Sequence, residues 1–418
     1  MRDRWKHGWG AMIATLLWVG SGARSAAEAW PDGLDHFRLE DKDTILIFEI
    51  CTGVDLVGVE GCSEIKTVRF SGPRPMKFAI DEGGFARIAK LEKLDRIDFH
   101  NLTGLSEGAI AALGPAWERV KELKLNAAIT DDATIGRLPA KKLEVFESYA
   151  TTLKSRPGDA TAKMLATNPH LCCIRIFTSS GITDQGFVAL GDLKELRVLY
   201  LPYCQITDAS ATALGQLTKL EELDLEGAKI SDASAGALAK LGGLRQLRLG
   251  RTKVSWKTLA VLAAMKNLAW LDMTGTAVED EGLSMLSELT AVKALTLDWT
   301  KIKGSGLSAV AKMKGLKMLS LNHTTVDDAE ILALVDELPE TITSLGLQGT
   351  KVTDEAVVAL AKRLPKLESI DIGCTVVTDA GIKSLLKINS VKYIYATGSG
   401  ISAEMSKRIS GSGVVLRP

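Results

Sequence analysis

The chain has 418 residues, 46% hydrophobic, 24% charged and only 5% aromatic, with 51 basic against 51 acidic side chains. A net charge of zero leaves no global field to draw the chain onto nucleic acid or an anionic membrane. The 38 glycines and 11 prolines are too few for a low-complexity chain, and six cysteines without a C-x-x-C pair exclude a disulfide-dense scaffold or a zinc signature.

Residues 1–29 read as an export signal. Arg2, Arg4 and Lys6 precede the short apolar run 11–19, and small residues follow, with cleavage expected after Ala29 or Ala27. That run is too short for a stop-transfer helix; the alternative is an uncleaved N-terminal anchor. No later apolar stretch of about 18 residues exists, so no membrane span is expected once the signal is removed. The mature chain is expected to be secreted or periplasmic. Residues 30–64, with the strand-like run 44–50, read as an N-terminal cap. An oxidising compartment permits a disulfide between Cys51 and Cys62; two free thiols are the alternative.

From residue 65 the chain repeats itself. Leu196/Leu199/Leu201, Leu220/Leu223/Leu225 and Leu244/Leu247/Leu249 align, and the same phase continues through Leu268, Val292, Leu316, Ile342, Leu367 and Val391. Weaker copies begin at Leu171, Leu143, Val120, Leu94 and Ile65, giving about 14 units of about 24 residues over 65–401. In each, two leucines share one side of a short strand while the residue between them faces the other way. Thr207-Asp208 and its counterparts supply a helix cap and an acidic first turn. Leu283, Leu286 and Leu289 then mark the inward stripe of a short helix. A small Thr after the strand (Thr252, Thr276, Thr300, Thr324, Thr350, Thr375, with Cys204 once) is expected inside, bonding the turning backbone as a ladder along the stack. The unit 143–171 is irregular at Lys154-Ser-Arg-Pro-Gly158 and is expected to bulge. Residues 402–418, with a short helix and the run 414–416, read as a C-terminal cap.

L-x-x-L-x-L followed by a small polar residue, at this period, resembles the leucine-rich repeat. The second halves (Ile206-Thr-Asp208, Ile230-Ser-Asp232, Val377-Thr-Asp379-Ala-Gly-Ile382) resemble the cysteine-containing repeats of F-box adaptors and of bacterial secreted repeat proteins. The resemblance implies an α/β solenoid, a curved horseshoe with a parallel sheet on its concave face and helices on its convex face. It also implies macromolecular binding. Thr in place of the usual Asn or Cys departs from the subfamily pattern.

In that phase the concave face carries a central column of Arg175, Tyr200, Asp224, Arg248, Asp272, Thr296 and Ser320. Nearer the strand ends runs Tyr203, Gly227, Arg251, Gly275, Trp299, His323, Gly349 and Cys374, and Trp270 shares the face. For the charges alone, a solvated face on which Asp224, Arg248 and Asp272 neutralise one another is the preferred reading. Two tryptophans and two tyrosines in a chain this poor in aromatics turn it toward a binding surface, because Tyr, Trp and Arg anchor interfaces.

Catalysis finds no support. Asp224 and Asp272 stand about 10 Å apart by strand spacing, with Arg248 expected between them to hold both ionised. His323 and Cys374 are two repeats apart, and His7, His36, His100, His170 and His323 show no metal-ligand spacing. No nucleotide-binding or nucleophile-elbow motif occurs, so neither enzymatic activity nor a cofactor is expected. Cys204 reads as a buried small residue. The sequons at Asn101 and Asn322 matter only in a eukaryotic secretory pathway, where a glycan on Asn322 would crowd the face. The expected partner is a protein held on the concave face, with an envelope glycan stacking on Trp270 and Trp299 as the alternative. A ubiquitin-ligase adaptor or host-directed effector needs an F-box-like segment that residues 30–64 do not show.

Overall fold

A computed structural model describes residues 37–40, 45–48, 64–70, 82–100, 106–126, 131–149, 156–409 and 415–417. The expected export signal and the Cys51/Cys62 pair lie outside them. The chain divides after Phe37, and all the repeats belong to the unit from Arg38 on.

Among the described residues, seventeen strands join in one sheet. β1 (Phe37–Glu40) and β2 (Ile45–Phe48) come first. One strand per expected repeat follows: β3 (Thr67–Phe70), β4 (Arg96–His100), β5 (Glu122–Asn126), β6 (Val145–Tyr149), β7 (Cys173–Ile176), β8 (Val198–Tyr200) and β9 (Glu222–Asp224). The series continues through β10 (Gln246–Arg248), β11 (Trp270–Asp272), β12 (Ala294–Thr296), β13 (Met318–Ser320), β14 (Ser344–Gly346), β15 (Ser369–Asp371) and β16 (Tyr393–Tyr395). β17 (Val415–Arg417) adds a last parallel strand to β16. From β2 on, each strand lies parallel to the next, in register repeat for repeat. Fourteen repeat strands with intervening helices make the expected α/β solenoid.

Each unit closes its core only with its neighbours. Leu223, Leu225, Leu247, Leu249, Leu271 and Met273 are wholly inaccessible to solvent. Toward the N-terminus rings replace leucines: Phe70 and Phe99 stack at 5.3 Å, Phe85 packs against both, and buried Trp117 donates its ring N–H to the Ile110 carbonyl. The inward spacing of three residues has a consequence for helix type, since i and i+3 coincide in a 3₁₀ helix. Leu283 closes an α-turn (Asp280–Leu283), while Leu286 sits in the 3₁₀ stretch Ser284–Glu288 and Leu289 caps it. Ser305–Lys312 is 3₁₀ throughout.

The threonine ladder takes a different form from the expected one. Each Thr hydroxyl donates to the carbonyl three residues earlier in its own unit, as from Thr252 to Leu249 and from Thr300 to Leu297, both at 2.6 Å. It closes a turn and does not link repeats. The link between repeats comes from the aspartate after each cap. Asp208 accepts from the backbone and hydroxyl of Ser231 and from the hydroxyl of Ser234; Asp184 does the same for Thr207 and Ser210. Burial pushes these carboxyls up, but the donors of the next repeat outweigh it and hold both below the usual carboxylate range. Asp132, Asp159, Asp232, Asp280, Asp328, Asp354 and Asp379 serve the same role. Trp256 and Gly304 stand in this position in two units. The parallel bridges of the cap column lapse between Ser231–Lys253 and Asp327–Lys351, where these two units lie, and again between Asp327–Lys351 and Thr378–Gly400.

In the irregular unit, residues 150–155, which include the start of the expected bulge, lie outside the described residues. After β6, Gly158 pairs with Gly181 and a helix runs over Asp159–Ala166. Buried Asn168 then accepts from the Leu143 amide.

Candidate functional site

Strand pairing aligns Arg175, Tyr200, Asp224, Arg248, Asp272, Thr296 and Ser320 as one column across β7–β13. Its charges bind one another. Arg248 reaches Asp224 at 2.8 Å, Glu226 at 3.1 Å and Asp272 at 3.4 Å, and Arg175 reaches Glu147 at 3.2 Å and Glu222 at 3.7 Å. The guanidinium of Arg175 also lies 5.3 Å from the centre of the Tyr200 ring, whose hydroxyl donates to Glu222. Burial pulls the Arg248 guanidinium down, but its three carboxylates outweigh burial and hold it above its ordinary value.

Asp224 and Asp272 are themselves buried, so they support Arg248 and present little surface of their own. Arg248 was expected to keep both in the ordinary ionised range. For Asp224 it does not: burial exceeds the pull of Arg248 and lifts the carboxyl to about 6. Burial lifts Asp298 to about 6 as well, against hydrogen bonds from Ser320 and Asn322.

The second column has a common backbone feature. At the residue where the chain leaves the strand, nine successive repeats take positive φ. Glycine fills four of these positions (Gly227, Gly275, Gly349, Gly398), where it costs no strain. Tyr203, Arg251, Trp299, His323 and Cys374 fill the other five at φ of 52–61°, which costs an L-residue roughly 1 kcal/mol each. Glycines accommodate the large neighbours: a Cβ on Gly227 would clash with the Tyr203 ring, and one on Gly349 with the His323 ring. Trp299 and His323 stack at 3.9 Å between centroids. Tyr203 and Trp299 are about half exposed, at 47% and 48%. Tyr203 donates to Glu226, which also meets Arg251, and burial together with that carboxylate pushes its hydroxyl up to about 12.

Trp270 differs from its expected exposure. It stands on the strand between Gln246 and Ala294, away from the rim; it is half-buried and its ring nitrogen has no hydrogen-bond partner. Two rim residues escaped the sequence reading. Tyr149 and Phe177, 48% and 44% exposed, lie 6.0 Å apart at the ends of β6 and β7. The repeat lengthens to 28 residues between Leu143 and Leu171, so the regular phase could not be carried back to them. Their signal was the aromatic following each weak strand.

The remaining candidates are structural. Cys204 is inaccessible and burial pushes its thiol up to about 12; Cys173 rises to about 11 for the same cause. Asn322 is buried, its amide held by Ser320 and Asp298. Among the described residues no helix is long and apolar enough to cross a membrane.

The repeat signature is matched by known families in two places: Leucine rich repeat over residues 194–254, and a second Leucine Rich repeat family over 363–386. The chain is built of leucine-rich repeats. Its fold is similar to that of an internalin from Listeria monocytogenes, with 17% identity, 84% of this chain and 86% of that one covered, and a TM-score of 0.52. It is equally similar to a leucine-rich-repeat protein of Leptospira interrogans, with 17% identity, 89% of each chain covered and a TM-score of 0.51. At these identities the likeness is one of fold. No curated protein matches the sequence significantly. The leucine-rich-repeat fold supports a scaffold for protein interaction.

Proposed function

We propose that this protein is an exported, non-catalytic scaffold that holds a partner protein on its concave sheet, with the contact centred on the rim residues Tyr203, Arg251, Trp299 and His323. The observation that carries the reading is the positive-φ column. Glycine satisfies that backbone at Gly227, Gly275, Gly349 and Gly398, yet four neighbouring units keep large aromatic or cationic side chains there at a conformational cost. Two of them are half exposed aromatic rings in a chain with only 5% aromatic residues. The central column gives such a partner a firm support, because Arg175 and Arg248 are each fixed by two or more carboxylates. That arrangement also speaks for the non-catalytic role: Asp224 and Asp272 are engaged by one guanidinium, and His323 is stacked on Trp299. Export rests on the signal-like residues 1–29.

The test uses the architecture itself. A Tyr203→Gly/Trp299→Gly/His323→Gly variant places glycine where other repeats carry it, so the fold is expected to remain. Affinity capture from the source organism's envelope fraction should retain a protein on the parent and lose it on the variant. Equal retention by both refutes the assignment to this rim; capture of glycan and no protein refutes the protein partner. N-terminal sequencing of the exported chain should find its first residue to be Glu28 or Trp30, and an intact Met1 on exported material refutes cleavage.

A further inference from the structure

We propose that this protein has a second docking surface, at the edge where the chain enters its strands. There Lys293 and Lys317, with Lys312 and Lys314 on the approach to β13, hold an acidic segment of a partner protein. Backbone hydrogen bonds set one residue of each repeat side by side along that edge. The Arg245 amide donates to the Glu221 carbonyl, Ala269 to Arg245, Lys293 to Ala269, Lys317 to Lys293 and Thr343 to Lys317. Elsewhere in the row, opposite charges on adjacent repeats neutralise one another. Lys121 meets Glu144, Arg197 meets Glu221 and Lys392 meets Glu368, each at 2.7 Å. The alternation fails at Lys293 and Lys317. They stand on adjacent repeats, about 4.8 Å apart by strand spacing, between the uncharged Ala269 and Thr343.

Nothing among the described residues answers this charge. All four lysines are exposed, and none forms an ion pair there. The acids nearby are taken or out of reach: Lys266 holds Glu288 at 3.3 Å, Arg363 holds Glu340 at 2.8 Å, and neither Asp336 nor Glu337 forms an ion pair. Adjacent ammonium groups repel each other, and an anion placed between them is attracted by both. The row already contains that arrangement, since Glu221 meets Arg197 at 2.7 Å on one side and Arg245 at 3.8 Å on the other. A partner's carboxylate would repeat it between Lys293 and Lys317. Two further features favour a peptide. Ala291 and Gly315 precede the two lysines, and a Cβ at Gly315 would stand in open space, so a main chain can come close. Carboxylates two residues apart on an extended chain are about 6.6 Å apart, within reach of lysine stems on adjacent repeats. No large apolar side chain is exposed over 287–293 or 311–317, so the edge has nothing to insert into a bilayer or to stack on a base.

Fluorescence anisotropy on the full chain tests this with a labelled peptide of alternating Glu and Ser, and with its Gln and Ser counterpart as the uncharged control. The Glu peptide should bind at low salt, the Gln peptide should not, and added salt should release the bound one. Lys293→Gln/Lys317→Gln should weaken binding about three- to ten-fold. Lys229→Gln/Lys253→Gln, which removes the same charge beyond the strand exits, should leave it unchanged. Lys317→Glu restores the alternation and should abolish binding, and thermal midpoints check that every variant is folded. Failure of the Glu peptide to bind, equal binding of the two peptides, or equal loss in the two glutamine variants overturns the proposal. So does capture on phosphatidylglycerol vesicles without binding of the Glu peptide, which assigns the edge to a membrane surface. The Tyr203→Gly/Trp299→Gly/His323→Gly variant should bind the peptide as the parent does; loss on that variant moves the peptide to the concave rim and overturns this surface while leaving the rim standing.

Discussion

Asp232→Ala tests how the repeats are joined. Its Oδ1 accepts from the Ser255 amide at 2.8 Å, the Thr258 amide at 3.2 Å and the Thr258 hydroxyl at 2.6 Å; its Oδ2 accepts from the Ser255 hydroxyl. A hydrogen bond to a charged group contributes roughly 1.5–3 kcal/mol on its own, but bonds that share one carboxylate do not add. Thr258 is wholly buried, so alanine leaves its hydroxyl without an acceptor and without water. Partial solvent access at Asp232 reduces the sum, and the expected loss is about 3 kcal/mol. The pH dependence follows from the carboxyl itself. Burial raises it, yet the Ser255 and Thr258 donors outweigh burial and hold it below its usual value. A lowered carboxyl contributes stability above its unfolded pKa and loses it as pH falls through the folded value, which places the window below about pH 4. Urea unfolding should therefore show the full deficit at pH 7 and a shrinking one toward pH 3. A deficit under about 1 kcal/mol at pH 7, or one that persists undiminished at pH 3, would refute the carboxylate ladder as the joint between repeats.

Other expectations follow from the same structure. Amide hydrogen exchange should be faster over 280–312 than over 184–240, because Trp256 and Gly304 interrupt the ladder and the cap-column bridges lapse there; equal protection would count against it. Cys374→Gly should raise the unfolding free energy slightly, by roughly 0.5 kcal/mol, since relief of its positive φ exceeds the added chain entropy. Gly227→Ala should do the reverse by more than 1 kcal/mol or so, as its Cβ would strike the Tyr203 ring; calorimetry of both settles the sign. Expressed through a eukaryotic secretory route, the folded chain should carry no glycan at Asn322, whose amide is buried and bonded, and intact mass reads this directly.

Much of the candidate face was legible because strand alternation is strict. Once Leu223 and Leu225 point inward, Asp224 must face outward, and a constant 24-residue step places Arg248 and Asp272 beside it. Where the step changed, at 143–171, legibility failed, and Tyr149 and Phe177 were missed. The aspartate ladder was half legible. Thr207-Asp208 announced a cap and an acidic first turn, but a single unit gives no hint that the carboxylate reaches forward into the next one.

The sequence by itself determined the repeat, its phase, the inward leucines and the residue types on the open face, since all of these follow from periodicity. Only the tertiary structure decided that Asp224 is buried, that Trp270 is half-covered while Trp299 is not, and that the rim column adopts positive φ. Those properties depend on how closely neighbouring units approach and on which side chain crosses which glycine. Neither quantity is carried by the pattern of a single repeat; both arise from the stacking of one repeat on the next.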